Sequence, residues 1–305
     1  MLRSLSFAGL LVTVFATAAG AQQSFKGADE AATALATAAK TGDRAAILAV
    51  LGRDADDIVT SGDEVADKAI REQFIQAYDQ KHQIDKQGDG LALLVIGNDD
   101  FPFPIPIVRR NDAWQFDTSA GRQEILYRRV GANELDAIQV CLAYVDAQDE
   151  YADKDRGAGA GVYAQRVISQ PGQKDGLYWP TSVGEDQSPM GDLAAAATAQ
   201  GYRVGSGHAP FHGYYYKILT RQGPNAPGGA LDYVVKGKMI GGFALVAFPA
   251  EYGNSGVMTF MVSHDGTIFQ KDLGPQTGER AEQIATFDPD SSWTRVEGDA
   301  LRVNR

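Results

Sequence analysis

The sequence predicts an α+β protein in two parts, each with helix ahead of antiparallel strand. Three observations carry that expectation. Alanine-rich segments of helical period fill the chain as far as "QKHQI", ending at Ile84. The apolar period then shortens towards two in "LALLVIGNDDFPFPIPIVRRNDAWQFD". A second helical stripe, formed by Leu135, Ile138, Cys141, Leu142 and Val145, gives way to short strands set between Gly/Pro-rich loops.

The chain opens on Arg3, an apolar stretch "LSFAGLLVTVFATAAG" and the small residues Ala19 to Ala21, which together read as a signal peptide cleaved before Gln22. No cysteine follows that site to carry a lipid, and no later apolar run has the length to cross a bilayer. The expectation is a periplasmic or secreted protein that does not insert in the membrane. Its formal net charge of −11 disfavours nucleic acid and anionic membrane surfaces as partners. A single cysteine, Cys141, cannot form an internal disulfide, so packed cores must supply the stability. On the apolar stripe, Cys141 reads as a small buried residue.

In "ADEAATALATAAKTGDRAAILAVLG" one helix breaks at Thr41-Gly42-Asp43 and a second starts with Asp43 as its N-cap and stops at Gly52. A third follows, with Val65, Ile70, Phe74, Ile75 and Tyr78 on one face. Pro102, Pro104 and Pro106 confine their segment to a sheet edge or a bulge, because proline cannot donate to a ladder. The charged stretch "TSAGRQEILYRRVGANEL" reads as the joint between the parts, open to proteolysis between Thr118 and Asn133. The expected organisation is a signal peptide over 1–21, an N-terminal domain over 22–120, a C-terminal domain over 121–297 and a tail over 298–305. Further on, "LAAAATAQGY" is a short helix, and "GGFALVAFP" and "GVMTFMVSHDGTIFQKDLG" complete an antiparallel meander. Asp265-Gly266 between apolar runs signals a two-residue hairpin turn. Gly241-Gly242 predicts close approach to a neighbouring backbone, Pro249 a strand end on an edge, and "EYGNSG" a connection.

Chemistry-bearing motifs are sparse. The sequence has no G-x-S-x-G elbow, phosphate loop, zinc-protease helix or paired-cysteine zinc motif, so no cofactor and no catalytic residue is assigned. His208 and His212 are four apart, but Pro210 and the surrounding glycines deny them a helix, which leaves them as turn histidines. His82 and His264 read as exposed. The aromatics Tyr178, Trp179, Phe211 and Tyr214, with His212 and Tyr252, sit among glycines and prolines, the setting of exposed rings that take protein partners. Trp179, before Pro180 in a turn-rich segment, is the first choice as an anchor. The alternative for the strand tyrosines is a plain core role.

Three resemblances add to this. Helices followed by a hairpin carrying Trp114 look like the nuclear-transport-factor-like group, in which helices pack into a curved sheet. The stretch "NELDAIQVCLAYVDAQDEYADKDRGAGAGVYAQRV", with the meander after it, resembles the globular part of type IV pilins and secretion pseudopilins. It lacks the hydrophobic assembly helix of a pilin subunit, which implies a reused, soluble head. "KDGLYWP", "HGYYYKILT", "GGALDYVVKGKMIGGFALVAFPAEYG" and "FQKDLG" are similar to a family of exported bacterial proteins known only as a domain of unknown function. In that family "DKDRGAGAG" corresponds to an acidic, calcium-loop-like run. Here Asp153 and Asp155 keep two oxygens, while Arg156, Ala158 and Ala160 replace the rest, short of the six to eight oxygens calcium takes. The reading is a non-catalytic binding or assembly factor of the cell envelope. Its rival is an enzyme, small-molecule-binding or hydrolytic, that uses the N-terminal domain with His82 and Asp79.

Overall fold

A computed structural model describes residues 22–182, 184–203 and 209–298; the expected signal peptide, His208 and most of the tail lie outside them. The chain is a mixture of helix and antiparallel sheet. Its N-terminal half begins with α1 (Ala28–Thr41), α2 (Arg44–Leu51), the single turn α3 (Asp56–Val59) and α4 (Glu64–Gln80). Asp43 caps α2 by accepting from the amide of Ala45 at 2.9 Å, and Gly52 ends it at φ +99°. Buried alanines with Leu35 let α1 and α2 lie close together, and this pair fills one side of a first core.

The other side is a sheet of β1 (His82–Lys86), β2 (Leu91–Ile96), β4 (Ile107–Arg110) and β5 (Ala113–Phe116), with β3 (Phe101–Pro102) paired to β2. Pro102 thus sits in a two-residue strand. Of α4, only Phe74, Ala77 and Tyr78 join the first core, because its last turns cover the sheet. The single apolar face expected for this helix is therefore split. Ile70 is 51 % exposed, and Val65 faces the cleft described below.

The charged stretch read as a joint is the start of α5 (Thr118–Ala152), an unbroken helix of 35 residues, about 52 Å long at 1.5 Å per residue. Ile125 and Leu126 pack on the first core; Ala137, Ile138, Cys141, Tyr144, Val145 and Tyr151 enter a second. Leu135, expected on that stripe, is exposed. Cys141 is fully buried, which pushes its thiol up to about 12.

The second core lies between α5 and a five-stranded antiparallel sheet in the order β14-β13-β12-β11-β6. Those strands are β6 (Tyr214–Leu219), β11 (Ala244–Pro249), β12 (Met258–Ser263), β13 (Ile268–Asp272) and β14 (Thr294–Arg295). The short pairs β7 (Arg221–Gln222) with β8 (Leu231–Asp232), and β9 (Val234–Val235) with β10 (Lys238–Met239), fill the crossover from β6 to β11. Two helices flank this part, α6 (Gly191–Gln200) and α7 (Thr277–Gln283).

The hairpin at Asp265-Gly266 forms, but its turn is longer than two residues. The last ladder pair is Val262 with Ile268, and Asp265 Oδ1 accepts from the Thr267 amide at 2.8 Å, so the aspartate closes a wider loop. Gly241 does approach a backbone: a Cβ there would lie 2.8 Å from the Asp232 carbonyl oxygen. Pro249 ends β11, which is a central strand and not an edge. It is tolerated because the β12 ladder stops two residues earlier, at Ala247.

Candidate functional site

The two halves meet across polar groups. Asp63, the N-cap of α4, accepts through Oδ1 from the amides of Val65 and Ala66, both at 3.1 Å. Its Oδ2 accepts from the Tyr202 hydroxyl at 2.8 Å and from the Gly213 amide at 3.0 Å. The second contact exists because His212 and Gly213 form a tight turn, both at positive φ (+50° and +73°), between Phe211 and Tyr214, which exchange backbone hydrogen bonds. That is the geometry of a two-residue hairpin turn, and glycine supplies the second left-handed position without strain. His212 also donates its amide to the Tyr202 oxygen at 3.3 Å, and its Nδ1 lies 3.0 Å from Asp136 Oδ2. Burial and the Asp63 carboxylate push the Tyr202 phenol well above its ordinary range, so it stays a donor.

Beside this junction opens a cleft of about 920 Å³. One wall is β6, with Tyr215, Tyr216 and Lys217; the other is α6, with Leu193, Ala194 and Ala197. Tyr178, Ile168, Tyr202 and Phe211 close the ends, and Gly62 to Val65 bring the N-terminal half to its rim. The lining is mostly apolar and aromatic with a few fixed polar groups, the usual makeup of a binding pocket. Lys217 is committed elsewhere: its ammonium donates to the carbonyls of Ala281 at 2.9 Å and Glu282 at 2.7 Å, at the end of α7.

The aromatics singled out from the sequence part company here. Tyr178 and Phe211 are half-buried and line the cleft, and His212 borders it through Tyr202. Tyr214 is fully buried, its hydroxyl donating to the Met258 carbonyl at 2.9 Å. Tyr252 lies on the 251–256 loop, donates to Asp272 at 3.1 Å and takes no part in the cleft.

Trp179 is a correction. It is 4 % exposed in the second core, because Tyr178 and Leu177 pair as extended backbone with Val167, Ser169 and Arg166, which turns the indole inward. The Arg156 guanidinium lies 4.9 Å from the indole ring centroid and the Lys174 ammonium 5.4 Å. It cannot serve as an exposed anchor. Asp63 and Tyr202 escaped the sequence reading. Asp63 before "EVADKAI" has the signature of an N-cap, but its partners stand 139 and 150 residues away.

Of the two calcium candidates, Asp155 is used otherwise. Asp155 Oδ1 accepts from the amides of Gly157 and Gly159, each at 2.8 Å, and these bonds hold its carboxyl below the ordinary range. Among the described residues no group of three His, Cys, Asp or Glu side chains is arranged to hold a metal. In the N-terminal half, Asp79 pairs with Lys40 at 2.6 Å, and the exposed His82 stacks on Tyr78. Neither lines the cleft, nor the second hollow of about 650 Å³ beside α1 and α2.

Next to the Asp63 group Arg129, 8 % exposed, donates to the carbonyls of Asp57 at 2.8 Å and Ile58 at 2.6 Å and to Asn254 Oδ1. Asn254 in turn donates to the Thr60 carbonyl at 3.0 Å. Asn133 and Glu134 of α5 hold the same loop through the Ser255 carbonyl and the amides of Val257 and Met258. The "EYGNSG" connection is therefore also a fastening between the halves.

A helix-rich half and a sheet-rich half, joined by one helix and two polar fastenings beside an aromatic cleft, define an α+β protein. The chain belongs to the family described as "Protein of unknown function (DUF2950)", which matches residues 22–296. No curated protein and no solved structure matches it. No helix among the described residues is long and apolar enough to cross a membrane.

Proposed function

We propose that this protein is an exported, non-catalytic binding factor of the cell envelope, and that the cleft between β6 and α6 is its binding surface. The observation that carries the reading is the cleft itself: half-buried rings of Tyr178, Phe211, Tyr215 and Tyr216 face open volume. Rings of this kind dominate binding energies where they can be desolvated by a partner. Support for export is the apolar leader of the sequence, together with a family match that starts at Gln22, the residue after the expected cleavage. A pilin-like head in the C-terminal half is part of the proposal, supported by a long helix lying on an antiparallel meander. The nuclear-transport-factor-like reading of the first half is supported by helices packed on one face of an antiparallel sheet. No observation favours the enzymatic alternative at His82 and Asp79.

A photoreactive residue in place of Ile168, at 40 % exposure on the cleft wall, tests the binding surface in exporting cells. The expected result is one discrete adduct, lost when Leu193→Trp fills the cleft, on a chain whose mass begins at Gln22. An adduct pattern unchanged by Leu193→Trp, and equally produced from the exposed Tyr127, sinks the cleft as the binding surface.

A further inference from the structure

The sheet of the C-terminal half has an interrupted edge, and the interruption opens into the cleft at Tyr216. Strand β6 pairs on one side with β11, in a register that sets Tyr214 opposite Pro249 and Tyr215 opposite Phe248. Pro249 has no N–H, and the Ala250 amide donates to the Gly213 carbonyl at 2.9 Å. In an antiparallel ladder the bonding residues alternate, so Tyr215, Lys217 and Leu219 bond to β11 while the backbone groups of Tyr216 and Ile218 point outward. Above this gap the outward edge is closed by the Phe211–Tyr214 pair. Below it the Tyr233 amide donates to the Thr220 carbonyl at 2.9 Å. Among the described residues no backbone group outside the sheet bonds the N–H and C=O groups of Tyr216 and Ile218.

The cleft wraps this gap from both faces. Tyr216, Val140 and Leu245 line it on the α5 face; Tyr215, Lys217 and Phe248 line it on the α7 face. We propose that the occupant is an extended polypeptide segment, which adds one short strand to β6 at Tyr216 and Ile218. Two N–H and two C=O groups at a two-residue spacing are the complement of another extended backbone, and an unpaired stretch of sheet edge is a template for one. The gap from Tyr215 to Leu219 is about 13 Å at 3.3 Å per residue, room for roughly four residues. Strand pairing already bounds it at both ends, so the addition completes an edge instead of starting one. Charge sets the segment's character. The cleft lining sets the carboxylates of Glu64 and Glu282 beside Lys217 and Arg203, with Glu282 3.9 Å from the Lys217 ammonium, so the sign comes from the chain's −11 overall, which selects a neutral to basic segment. This inference rests on the cleft being the binding surface and adds what binds there.

The probe is the labelled, end-blocked peptide Lys-Val-Thr-Val-Thr-Val-Lys, titrated against the protein by fluorescence anisotropy. Two derivatives carry N-methyl groups on the valines alone or on the threonines alone. Only one alternate set of peptide N–H groups can face β6, so the derivatives should differ in affinity by tenfold or more. Ile218→Pro removes one outward donor and leaves the β11 ladder intact; it should weaken the parent peptide roughly tenfold with the far-UV spectrum unchanged. If Ile218→Pro fails to fold, the two derivatives on the wild type still decide the matter. Failure of the parent peptide to bind, or equal losses from the two methylation patterns, overturns strand addition. The Ile168 adduct and its loss in Leu193→Trp would then still report the cleft as a surface for another kind of ligand.

Discussion

Arg129 on the α5 side and Asp63 on the cleft side fasten the same two halves, but in opposite surroundings. The Arg129 fastening is buried: its two terminal nitrogens meet two carbonyls and one amide oxygen, only Nε is left without a partner, and Asn254 reaches back to Thr60. The Asp63 fastening stands at the rim of open volume, and its partners, Tyr202 and the His212-Gly213 turn, also shape the cleft. The difference shows a division of labour. A sealed polar network fixes the geometry because every group lost is left unpaired. A fastening that borders a cavity holds the site's own walls, so a change there is felt first by the ligand.

The sharpest way to break that contrast is Arg129→Ala. It leaves three acceptors without their donor, two of them buried, at about 1–3 kcal/mol for each buried one, offset in part by relief of the guanidinium's own desolvation. The expected net loss is about 3 kcal/mol in urea unfolding, with two transitions replacing one. Wild-type protein should resist proteolysis between Thr118 and Asn133, and the variant should be cut there. A single transition with unchanged midpoint would show that Arg129 does not couple the halves.

Asp63→Ala comes next. It removes the cap of α4, worth about 1 kcal/mol, and leaves the Gly213 amide and the Tyr202 hydroxyl without an acceptor, for about 2 kcal/mol in all. Its mark should be local, with faster hydrogen exchange in residues 64–67 and 211–214 while α5 stays protected. Asp63→Asn keeps an oxygen for the cap and should lose less. Loss of protection throughout α5 would erase the distinction between the two fastenings.

The smallest effect belongs to Tyr202→Phe, about 1 kcal/mol at neutral pH. Its sign with pH follows from the raised phenol. A tyrosine that ionises near pH 10 when unfolded, but higher when folded, contributes stability that is complete below pH 10 and lost as pH rises beyond it. Tyr214 and Tyr216 are raised by burial in the same way, so alkaline melting should begin above pH 10 in both proteins, less steeply in Tyr202→Phe. Identical slopes would mean that Tyr202 ionises freely and that Asp63 does not hold it.

What was legible in the sequence was what is local. Asp43 and Gly52 announce the ends of α2 because a cap acts within one turn. The α+β class follows from the change of apolar period, and the hairpin at Asp265 from two adjacent residues. The turn at His212-Gly213 carries the same kind of signal, a residue tolerant of positive φ before glycine between aromatic runs, and His212 is indeed the turn histidine the sequence suggests. Trp179 misleads because turn-forming neighbours suggest exposure, while its burial is decided by pairing with residues 166–169. Arg129, Asp63 and Tyr202 were invisible for the same reason: each looks like an ordinary surface residue until a partner 70 or more positions away arrives. The interrupted edge of β6 is likewise a property of strand order, which no window of sequence contains.

The unbroken α5 makes the spacing between the two cores a matter of phase. Each residue of helix advances the chain 1.5 Å and turns it by about 100°. A single insertion between Arg129 and Ala137 would therefore swing Arg129 away from Asn254 and carry Asp63 off the Gly213 amide in the same stroke. Seven added residues would nearly restore the angle, to about 20°, yet part the halves by about 10 Å. Surface loops outside the two fastenings can lengthen freely, but this segment has a fixed length for geometric reasons alone. Insertions and deletions among family members should accumulate in those loops and not there.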